Sequence, residues 1–336
     1  MSVCLSLPLS VGPVTFRNRV FLAPLSGVSD LPFRKLAWKH GAGLVVTEMI
    51  ASREYCKASK QSVQRALFPD DGSTRMMQLA GTEPEPMGEA AKIAEANGAQ
   101  IIDINMGCPA KKVVGVQSGS ALMRDLDHAL TLIEVTVNAV NVPVTLKMRL
   151  GWSADTINAP ELGKRAVDAG VQMITVHGRT RDQFYTGVAD WEAIRAVRDA
   201  IGDGMPLVVN GDIHSRESAE KALRQSGADA VMVGRAACGQ PWMPAVIAGS
   251  ATGVPRDDQY AEYVIAHYDM ILEHYGGFTG IRNARKHLGW YLDALKPMAR
   301  QTHGPELLRA KEPDEVRALI RSAFLSSQST QYVKAA

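Results

Sequence analysis

The chain has 336 residues, of which 46% are hydrophobic and 21% charged, and its formal net charge at pH 7 is +2. This length suits one large domain and a smaller one, and the weak net charge excludes a global field for nucleic acid, so any such patch must be local. The four cysteines lack zinc-site spacing, no apolar run approaches the roughly 20 residues of a membrane span, and no secretory signal pattern is present. We therefore expect a cytoplasmic protein without a metal.

One pattern occurs four times along the chain: a helix that ends in glycine, then a short apolar strand. The glycine can take the left-handed conformation that ends a helix, and the β-branched run after it is typical of a buried parallel strand. These segments begin at Gly41, Gly98, Gly170 and Gly227. Four more strands are predicted at Val20–Ala23, Met76–Leu79, Val144–Met148 and Leu207–Asn210.

The eight strands alternate with helical patterns, which predicts an α/β fold of the TIM (β/α)8 barrel type. The alternative, an open doubly wound sheet, usually carries a Gly-x-Gly-x-x-Gly turn, and the chain has none. The clearest helical patterns are Pro86–Asn97, Ala159–Ala169, Trp191–Ala200 and Ser215–Ser226.

Polar residues cluster at the C-terminal ends of the predicted strands, where barrels place their functional groups. Lys147 is the most informative, because a lysine in an apolar strand is costly to bury unless an anion meets it; an ion pair with Glu48 or Asp103 is the alternative. The candidates at these ends are Pro24, Leu25, Ser26, Gln78, Asn105, Cys108, Lys147, Arg149, His177, Arg179, Asn210, Gly211, Asp212, Gly234 and Arg235.

Two of these strand ends suggest specific chemistry. Cys108 places a thiol just past a buried strand, and its polar neighbours, Asn105, Lys111 and Lys112, favour a chemical role over a small cysteine that only fills space. The Asn210-Gly-Asp and Gly234-Arg235 turns follow strands seven and eight, where barrels often bind phosphate, although each could be an ordinary turn.

The strand pattern stops after Gly249–Pro255, which reads as a linker. Beyond it Asp257–Tyr275, Thr279–Leu295 and Pro313–Phe324 are predicted helices. Arg282 and Lys286 lie opposite the apolar stripe of the middle helix, and their charge suits a solvated face and a nucleic-acid patch equally well. The predicted domains are a barrel over 1–248, a small all-α domain over 256–326 and a disordered tail over 327–336.

Eight short motifs resemble those of a known protein family. They are Ala23-Pro-Leu-Ser-Gly-Val-Ser-Asp30, Gln78-Leu-Ala-Gly81, Asn105-Met-Gly-Cys-Pro-Ala-Lys-Lys112, Gly119-Ser-Ala-Leu122, Lys147-Met-Arg149, His177-Gly-Arg-Thr180, Asn210-Gly-Asp-Ile213 and Val233-Gly-Arg-Ala236. Along nearly its whole length the chain resembles the tRNA-dihydrouridine synthases. The stretch from Pro109 to Val113 is similar to their bacterial B type.

The resemblance implies an FMN-binding barrel and a helical tRNA-binding domain that together reduce D-loop uridines to 5,6-dihydrouridine with NADPH. The reduced flavin would give a hydride to C6 of uracil, and Cys108 would give a proton to C5 as general acid. The implied flavin-ring residues are Pro24, Leu25, Ser26, Gln78, Lys147 and His177, and those at its phosphate end are Asn210, Gly211, Asp212, Gly234 and Arg235. The residues assigned to the substrate are Asn105, Lys111, Lys112, Arg149, Arg179, Arg282 and Lys286.

Two other functions remain open at this point. A small-molecule FMN reductase similar to dihydroorotate dehydrogenase would share the barrel and the cofactor but would not use a basic helical domain. A flavin-bearing RNA-binding protein without turnover would not need the acid Cys108. We expect a monomer whose partners are tRNA and NADPH.

Overall fold

The structure, a computed structural model, describes residues 4–325, apart from the side chain of Lys112. The chain forms two compact units. One comprises the residues up to 237 together with 241–252, and the other comprises 238–240 together with the residues from 253 onward. The segment over 327–336, expected to be a tail, lies outside the described residues.

A parallel sheet that closes on itself forms the first unit. The strands are β1 (Leu9–Val11), β2 (Val14–Phe16), β3 (Val20–Leu22), β4 (Leu44–Val45), β5 (Ile50–Ala51), β6 (Met76–Ala80), β7 (Ile101–Met106), β8 (Val144–Arg149), β9 (Ile174–His177), β10 (Leu207–Asn210) and β11 (Ala230–Val233). Neighbours run in the order β4-β3-β11-β10-β9-β8-β7-β6-β5, all of them parallel. Val46 bridges to Met76, so β4 and β5 are halves of one strand that closes the ring. The predicted TIM barrel is confirmed.

Helices connect these strands on the outside of the barrel. They are α1 (Leu31–His40), α2 (Ser52–Cys56), α3 (Lys60–Ala66), α4 (Pro84–Ala96), α5 (Lys111–Val114), α6 (Leu126–Ala139), α7 (Ala159–Asp168), α8 (Arg195–Ile201), α9 (Arg216–Ser226) and α10 (Met243–Ala248). The four repeated glycines that follow helices, Gly41, Gly98, Gly170 and Gly227, all have positive φ, as expected of residues that end helices.

Helix α8 begins four residues later than the sequence pattern indicates. The indole N–H of Trp191 donates to the carbonyl of Gly211 at 2.9 Å, and the Asp190 carboxylate accepts from the N–H of Ala193 at 2.9 Å. These bonds hold the segment in a turn, so the helical conformation starts only at Arg195.

The barrel interior is apolar at its N-terminal end and polar at its C-terminal end. The antiparallel β1–β2 hairpin packs Val11 and Phe16 into a buried cluster with Phe21, Met76 and Ile101. Successive side chains of a strand point to opposite faces, so the next interior position on each strand lies two residues further along. On β6 and β7 these positions are filled by polar residues, which brings hydrogen-bonding groups to the barrel mouth.

The second unit is helical and has a core of its own. Its helices are α11 (Tyr260–Tyr275), α12 (Gly277–Leu295), α13 (Pro297–Thr302), α14 (Gly304–Leu307) and α15 (Pro313–Leu325). Apolar side chains of α11, α12 and α15 form one buried cluster, as the stripe on the middle helix indicates. No helix in the described part of the chain is long and apolar enough to span a bilayer. Within residues 4–325, no group of three or more His, Cys, Asp and Glu side chains could hold a metal ion.

Two histidines are buried where α11 and α12 pack together. The rings of His267 and His287 are 5.0 Å apart, and a 2.9 Å hydrogen bond joins His267 Nδ1 to the Tyr291 hydroxyl. Burial lowers the pKa of His267 to about 3. The pKa of His287 also lies well below its usual value, first because of burial and then because of His267 and Lys286. Both rings are therefore neutral in the folded protein at neutral pH.

We predict that this pair makes the chain less stable in acid. Both folded pKa values lie below the unfolded value of 6.5, so the unfolded chain binds more protons as the pH falls. The contribution of His267 to the free energy of unfolding is complete above pH 6.5 and is lost as the pH drops toward 3, by about 2 kcal/mol at pH 5. His287 adds a loss in the same direction. Urea unfolding of the full chain at several pH values measures this loss.

The replacement His267→Gln should reduce the dependence of unfolding free energy on pH. The exposed His214, replaced in the same way, controls for the loss of one imidazole. Equal pH slopes for His267→Gln and the parent chain would contradict the assignment.

Candidate active site

A line of hydrogen bonds runs through the polar half of the barrel and ends at Cys108. The buried Asp103 carboxylate accepts from the Thr145 hydroxyl at 2.6 Å and from the Gln78 amide nitrogen at 2.6 Å. The Gln78 oxygen then accepts from Asn105 Nδ2 at 2.7 Å. The Asn105 oxygen in turn accepts from the backbone N–H of Cys108 at 3.0 Å. Because each bond fixes the orientation of the next amide, Asp103 indirectly sets the turn that carries the thiol.

Two further residues hold the same turn from other sides. Arg149 donates through Nε to the carbonyl of Gly107 at 2.8 Å, and Ser120 donates through its hydroxyl to the carbonyl of Cys108 at 2.8 Å. Gly119 has φ +62°, and a Cβ on it would lie 2.8 Å from the Cys108 oxygen. The backbone of Cys108 is thus fixed, while its side chain is only partly buried.

Lys147 lies inside the barrel without an ion pair. Its ammonium donates to Asn210 Oδ1 at 3.1 Å, and no carboxylate of a described residue lies within 4.0 Å of it. Glu48 instead accepts from the N–H of Gly27 at 2.6 Å and pairs with Arg65. A contact ion pair with Glu48 or Asp103 is therefore absent, although Asp103 attracts the ammonium from a longer distance and partly offsets the effect of burial on its pKa. The ammonium keeps donor capacity for another group.

The charges at the mouth are predominantly positive. Burial lowers the pKa of Lys147, and burial raises that of Asp103. The pKa of His177 falls well below its ordinary value, because of burial first and then because of Lys147 and the nearby arginines. Arg179 Nη1 donates to His177 Nε2 at 3.3 Å, which leaves the imidazole proton on Nδ1. A neutral histidine beside an incompletely paired ammonium suits an anionic or electron-rich ligand.

Arg179 and Asp212 form an internal ion pair. Arg179 is 1% exposed; Nη2 donates to Asp212 Oδ2 at 2.6 Å and to the Gly187 carbonyl at 2.8 Å. The same carboxylate oxygen accepts from the N–H of Ala189 at 2.8 Å. Arg179 therefore holds the loop after β9, and this geometry favours a supporting role for it over direct contact with a substrate.

The two turns assigned to phosphate differ in their surroundings. Gly211 has φ +114°, and a Cβ there would lie 2.8 Å from His177 Cδ2, so the close packing requires glycine. A Cβ on Gly234 would be in ordinary van der Waals contact with Leu25 Cδ2 at 3.9 Å, so close packing does not require glycine here. Arg235 follows it with an exposed guanidinium, 3.3 Å from Asp212 Oδ1.

The remaining candidates divide between the two units. Pro24, Leu25 and Ser26 form the loop after β3, and Lys111 is exposed at the start of α5. The side chain of Lys112 lies outside the described atoms. Arg282 is exposed and Lys286 half-buried, both on α12 of the second unit.

The sequence analysis missed Tyr185 at the mouth. The residue is 47% exposed, and its ring lies 5.7 Å from the Arg149 guanidinium and 5.1 Å from that of Arg235. It belongs to the long loop between β9 and α8, which has no periodic pattern that could have marked it.

Comparison with known proteins assigns the family. The model of the dihydrouridine synthase family (Dus) matches residues 21–327. The chain belongs to this family. It is 55% identical to a "Probable tRNA-dihydrouridine synthase" from Rhizobium leguminosarum bv. phaseoli, over 93% of this chain and 96% of the relative. It is 42% identical to tRNA-dihydrouridine synthase B from Xanthomonas axonopodis pv. citri, over 94% and 96% of the two chains. The resemblance read from the motifs is thus confirmed.

Solved structures with much lower sequence identity share the barrel fold of this chain. Morphinone reductase in complex with tetrahydroNAD matches with a TM-score of 0.51 and 15% identity, over 75% of this chain and 92% of its own. Histamine dehydrogenase from Rhizobium sp. 4-9 matches with a TM-score of 0.58 and 13% identity, over 80% of this chain, which spans about half (51%) of that protein. At these identities the likeness concerns the fold alone.

Proposed function

We propose that the chain is a tRNA-dihydrouridine synthase, which reduces uridines in the D-loop of tRNA to 5,6-dihydrouridine with FMN and NADPH. The observation that carries this proposal is the thiol of Cys108, held at the end of β7 by Asn105, Arg149 and Ser120 beside a positively charged barrel mouth. The printed names of the relatives, matched over nearly the full chain, support tRNA as the substrate.

The residues at the mouth fit FMN. A flavin ring carries negative charge when reduced, and the incompletely paired ammonium of Lys147 suits such an edge. The phosphate of the cofactor suits the Gly234 turn, whose backbone no neighbouring atom crowds, and the exposed Arg235 beside it. The Asp212 carboxylate is engaged by Arg179, so its part at this end is to orient cations and the backbone around the phosphate.

The proposed chemistry requires one proton donor. When bound, FMN would supply the hydride that reaches C6 of uracil. The thiol of Cys108 would donate its proton to C5 as general acid, and the clamped turn would keep the sulfur in place. The Asn105 amide fixes this turn through its oxygen, and Nδ2 keeps one N–H beyond its bond to Gln78 for the uracil. The target base must leave its stack to reach the barrel mouth.

We assign tRNA binding to the helical unit as well. Arg282 projects from α12 with its guanidinium 5.7 Å from the ring of Phe278, which is 78% exposed. An exposed cation beside an exposed aromatic ring suits RNA, which offers both phosphates and base faces. A small-molecule reductase of the dihydroorotate dehydrogenase type would have no use for this surface, and the named relatives also disfavour it.

One prediction of the proposed function concerns the general acid Cys108. The replacement Cys108→Ala should retain FMN and still be reduced by NADPH, because the thiol makes no part of the proposed cofactor site. Dihydrouridine formation, measured by mass spectrometry of tRNA, should fall by about 10²-fold or more. Cys56→Ala is the matched control, since Cys56 is a half-buried thiol whose Sγ lies 3.5 Å from the Pro86 carbonyl. Near-normal tRNA reduction by Cys108→Ala would remove this residue from the mechanism.

A second prediction separates the two ends of the cofactor. The replacement Arg235→Ala should purify with little flavin, because the phosphate loses its charged partner. Lys147→Ala should keep part of the flavin but accept electrons from NADPH slowly, because the reduced ring loses charge stabilisation. Flavin content by absorbance and stopped-flow reduction measure the two effects. A yellow and fully active Arg235→Ala protein would show that the phosphate binds elsewhere.

A third prediction tests the helical unit. The double replacement Arg282→Ala/Lys286→Ala should weaken tRNA binding and flatten its dependence on salt, by about one unit of log slope per lost phosphate contact. Arg256→Ala/Arg321→Ala is the control, because both of these exposed arginines already pair with carboxylates of the same unit. Equal salt slopes for the two double variants would assign the Arg282 face to ordinary solvated surface.

A further inference from the structure

Three side chains from consecutive loops meet on the rim of the barrel, outside the site described above. Arg124 ends the short helix Gly119–Arg124 after β7, Trp152 follows β8, and Arg181 follows β9. The guanidinium carbon of Arg124 lies 4.9 Å from the Trp152 ring, and that of Arg181 lies 4.6 Å from it. Because adjacent parallel strands end on the same side of a barrel, this cluster lies on the side that carries Cys108.

Hydrogen bonds between the loops hold the cluster in place. The backbone N–H of Arg181 donates to the carbonyl of Gly151 at 2.9 Å, and that of Asp182 donates to the carbonyl of Trp152 at 3.0 Å. The side chain of Asn158, after β8, donates to the carbonyl of Met123 at 2.6 Å. The backbone around the indole is therefore fixed before any ligand arrives.

The cluster carries more positive charge than its own carboxylates neutralise. Arg124 is exposed, and no described residue accepts a hydrogen bond from its guanidinium or forms an ion pair with it. Arg181 pairs through Nη1 with Asp182 at 3.1 Å. The neighbouring Asp125 carboxylate caps α6 by accepting from the N–H of His128. One guanidinium thus lies against an aromatic ring with its N–H edge uncommitted, which suits two oxygens of one phosphate.

The same short helix connects this cluster to the proposed acid. Ser120 holds the carbonyl of Cys108 at 2.8 Å, and Arg124 lies four residues further on, about 8 Å along the axis of a 3-10 helix. The preceding segment over 113–118 has no charged residue, so it supplies no cation to a bound strand. Arg124 is therefore near enough to Cys108 to meet the backbone of a strand whose base reaches the thiol.

We propose that Arg124 and Arg181, supported by Trp152, bind a phosphate of the RNA backbone next to the nucleotide that is reduced. This inference rests on the proposed function and adds a tRNA contact in the barrel unit. Phosphate is also present in NADPH, but the cluster lies on an open rim and relies on side-chain cations rather than a turn of backbone N–H groups, which favours a flexible strand.

The test uses the full-length holoenzyme. The replacement Arg124→Ala should raise the KM for tRNA about tenfold, leave kcat at saturating tRNA within about twofold, and lower the log slope of tRNA binding against salt by about 0.7. Trp152→Ala should raise the KM at least as much, because the indole lies against the guanidinium groups of both Arg124 and Arg181. The variant Arg124→Ala/Trp152→Ala should raise the KM by less than the product of the two single effects, since the two side chains share one contact. Trp152→Phe, which keeps a ring face, should restore most of the affinity. Arg224→Ala, an exposed arginine on α9, controls for the lost charge and should match the parent chain.

Three measurements distinguish the proposed phosphate contact from its alternatives: the salt dependence of tRNA binding, the KM for NADPH and dihydrouridine formation. A tRNA salt slope for Arg124→Ala equal to that of the parent chain would overturn the inference. A raised KM for NADPH, with oxygen as acceptor and tRNA binding unchanged, would assign the cluster to the dinucleotide phosphate and would also overturn it. If the parent chain forms no dihydrouridine, the proposed function fails; the salt slope still tests the phosphate contact, because it requires no turnover.

Discussion

The buried carboxylate of Asp103 is the constraint on which the active end of the barrel depends. A carboxylate enclosed by a sheet on every side is costly unless donors satisfy it, and Thr145 and Gln78 both donate to it at 2.6 Å. Because the amide nitrogen of Gln78 faces this carboxylate, its amide oxygen faces Asn105. That choice turns the oxygen of Asn105 toward the backbone of Cys108. The need to satisfy the buried Asp103 carboxylate thus fixes the turn that carries Cys108 at the barrel mouth.

Cations at the mouth fall into two groups according to how fully their donors are used. Arg149 and Arg179 are almost fully buried and donate to backbone carbonyls or to Asp212, so they shape loops. Lys147 makes a single hydrogen bond to the residues that the structure describes, and Arg235 is exposed beside the Asp212 carboxylate that it shares with Arg179. Unused donor capacity, rather than charge alone, marks the groups that can receive a ligand.

The sequence predicted the barrel because its signal is local and repeated. A glycine after each helix and a β-branched run after it mark the strands without knowledge of the partners, and the polar strand ends then follow from topology. The β1–β2 hairpin was missed, since its strands have three residues each and their burial depends on distant contacts. Tyr185 and Trp152 were also missed, because they become neighbours of arginines only after several loops meet.

The roles of the arginines show where sequence reasoning stops. Arg149 and Arg179 stand in similar motifs at two adjacent strand ends, and both were assigned to the substrate. In the folded chain Arg149 reaches back to the carbonyl of Gly107, and Arg179 reaches forward to Asp212. Neither partner is near in sequence, since each bond joins residues more than thirty positions apart. Because a guanidinium offers five donors in a rigid plane, the fold can use it to join separate loops, and only the contacts distinguish that use from ligand binding. Arg124 has the opposite balance, since no described residue forms a hydrogen bond or an ion pair with its guanidinium, which lies against the Trp152 ring. The same type of side chain thus holds loops together in one place and keeps its donors available for a ligand in another.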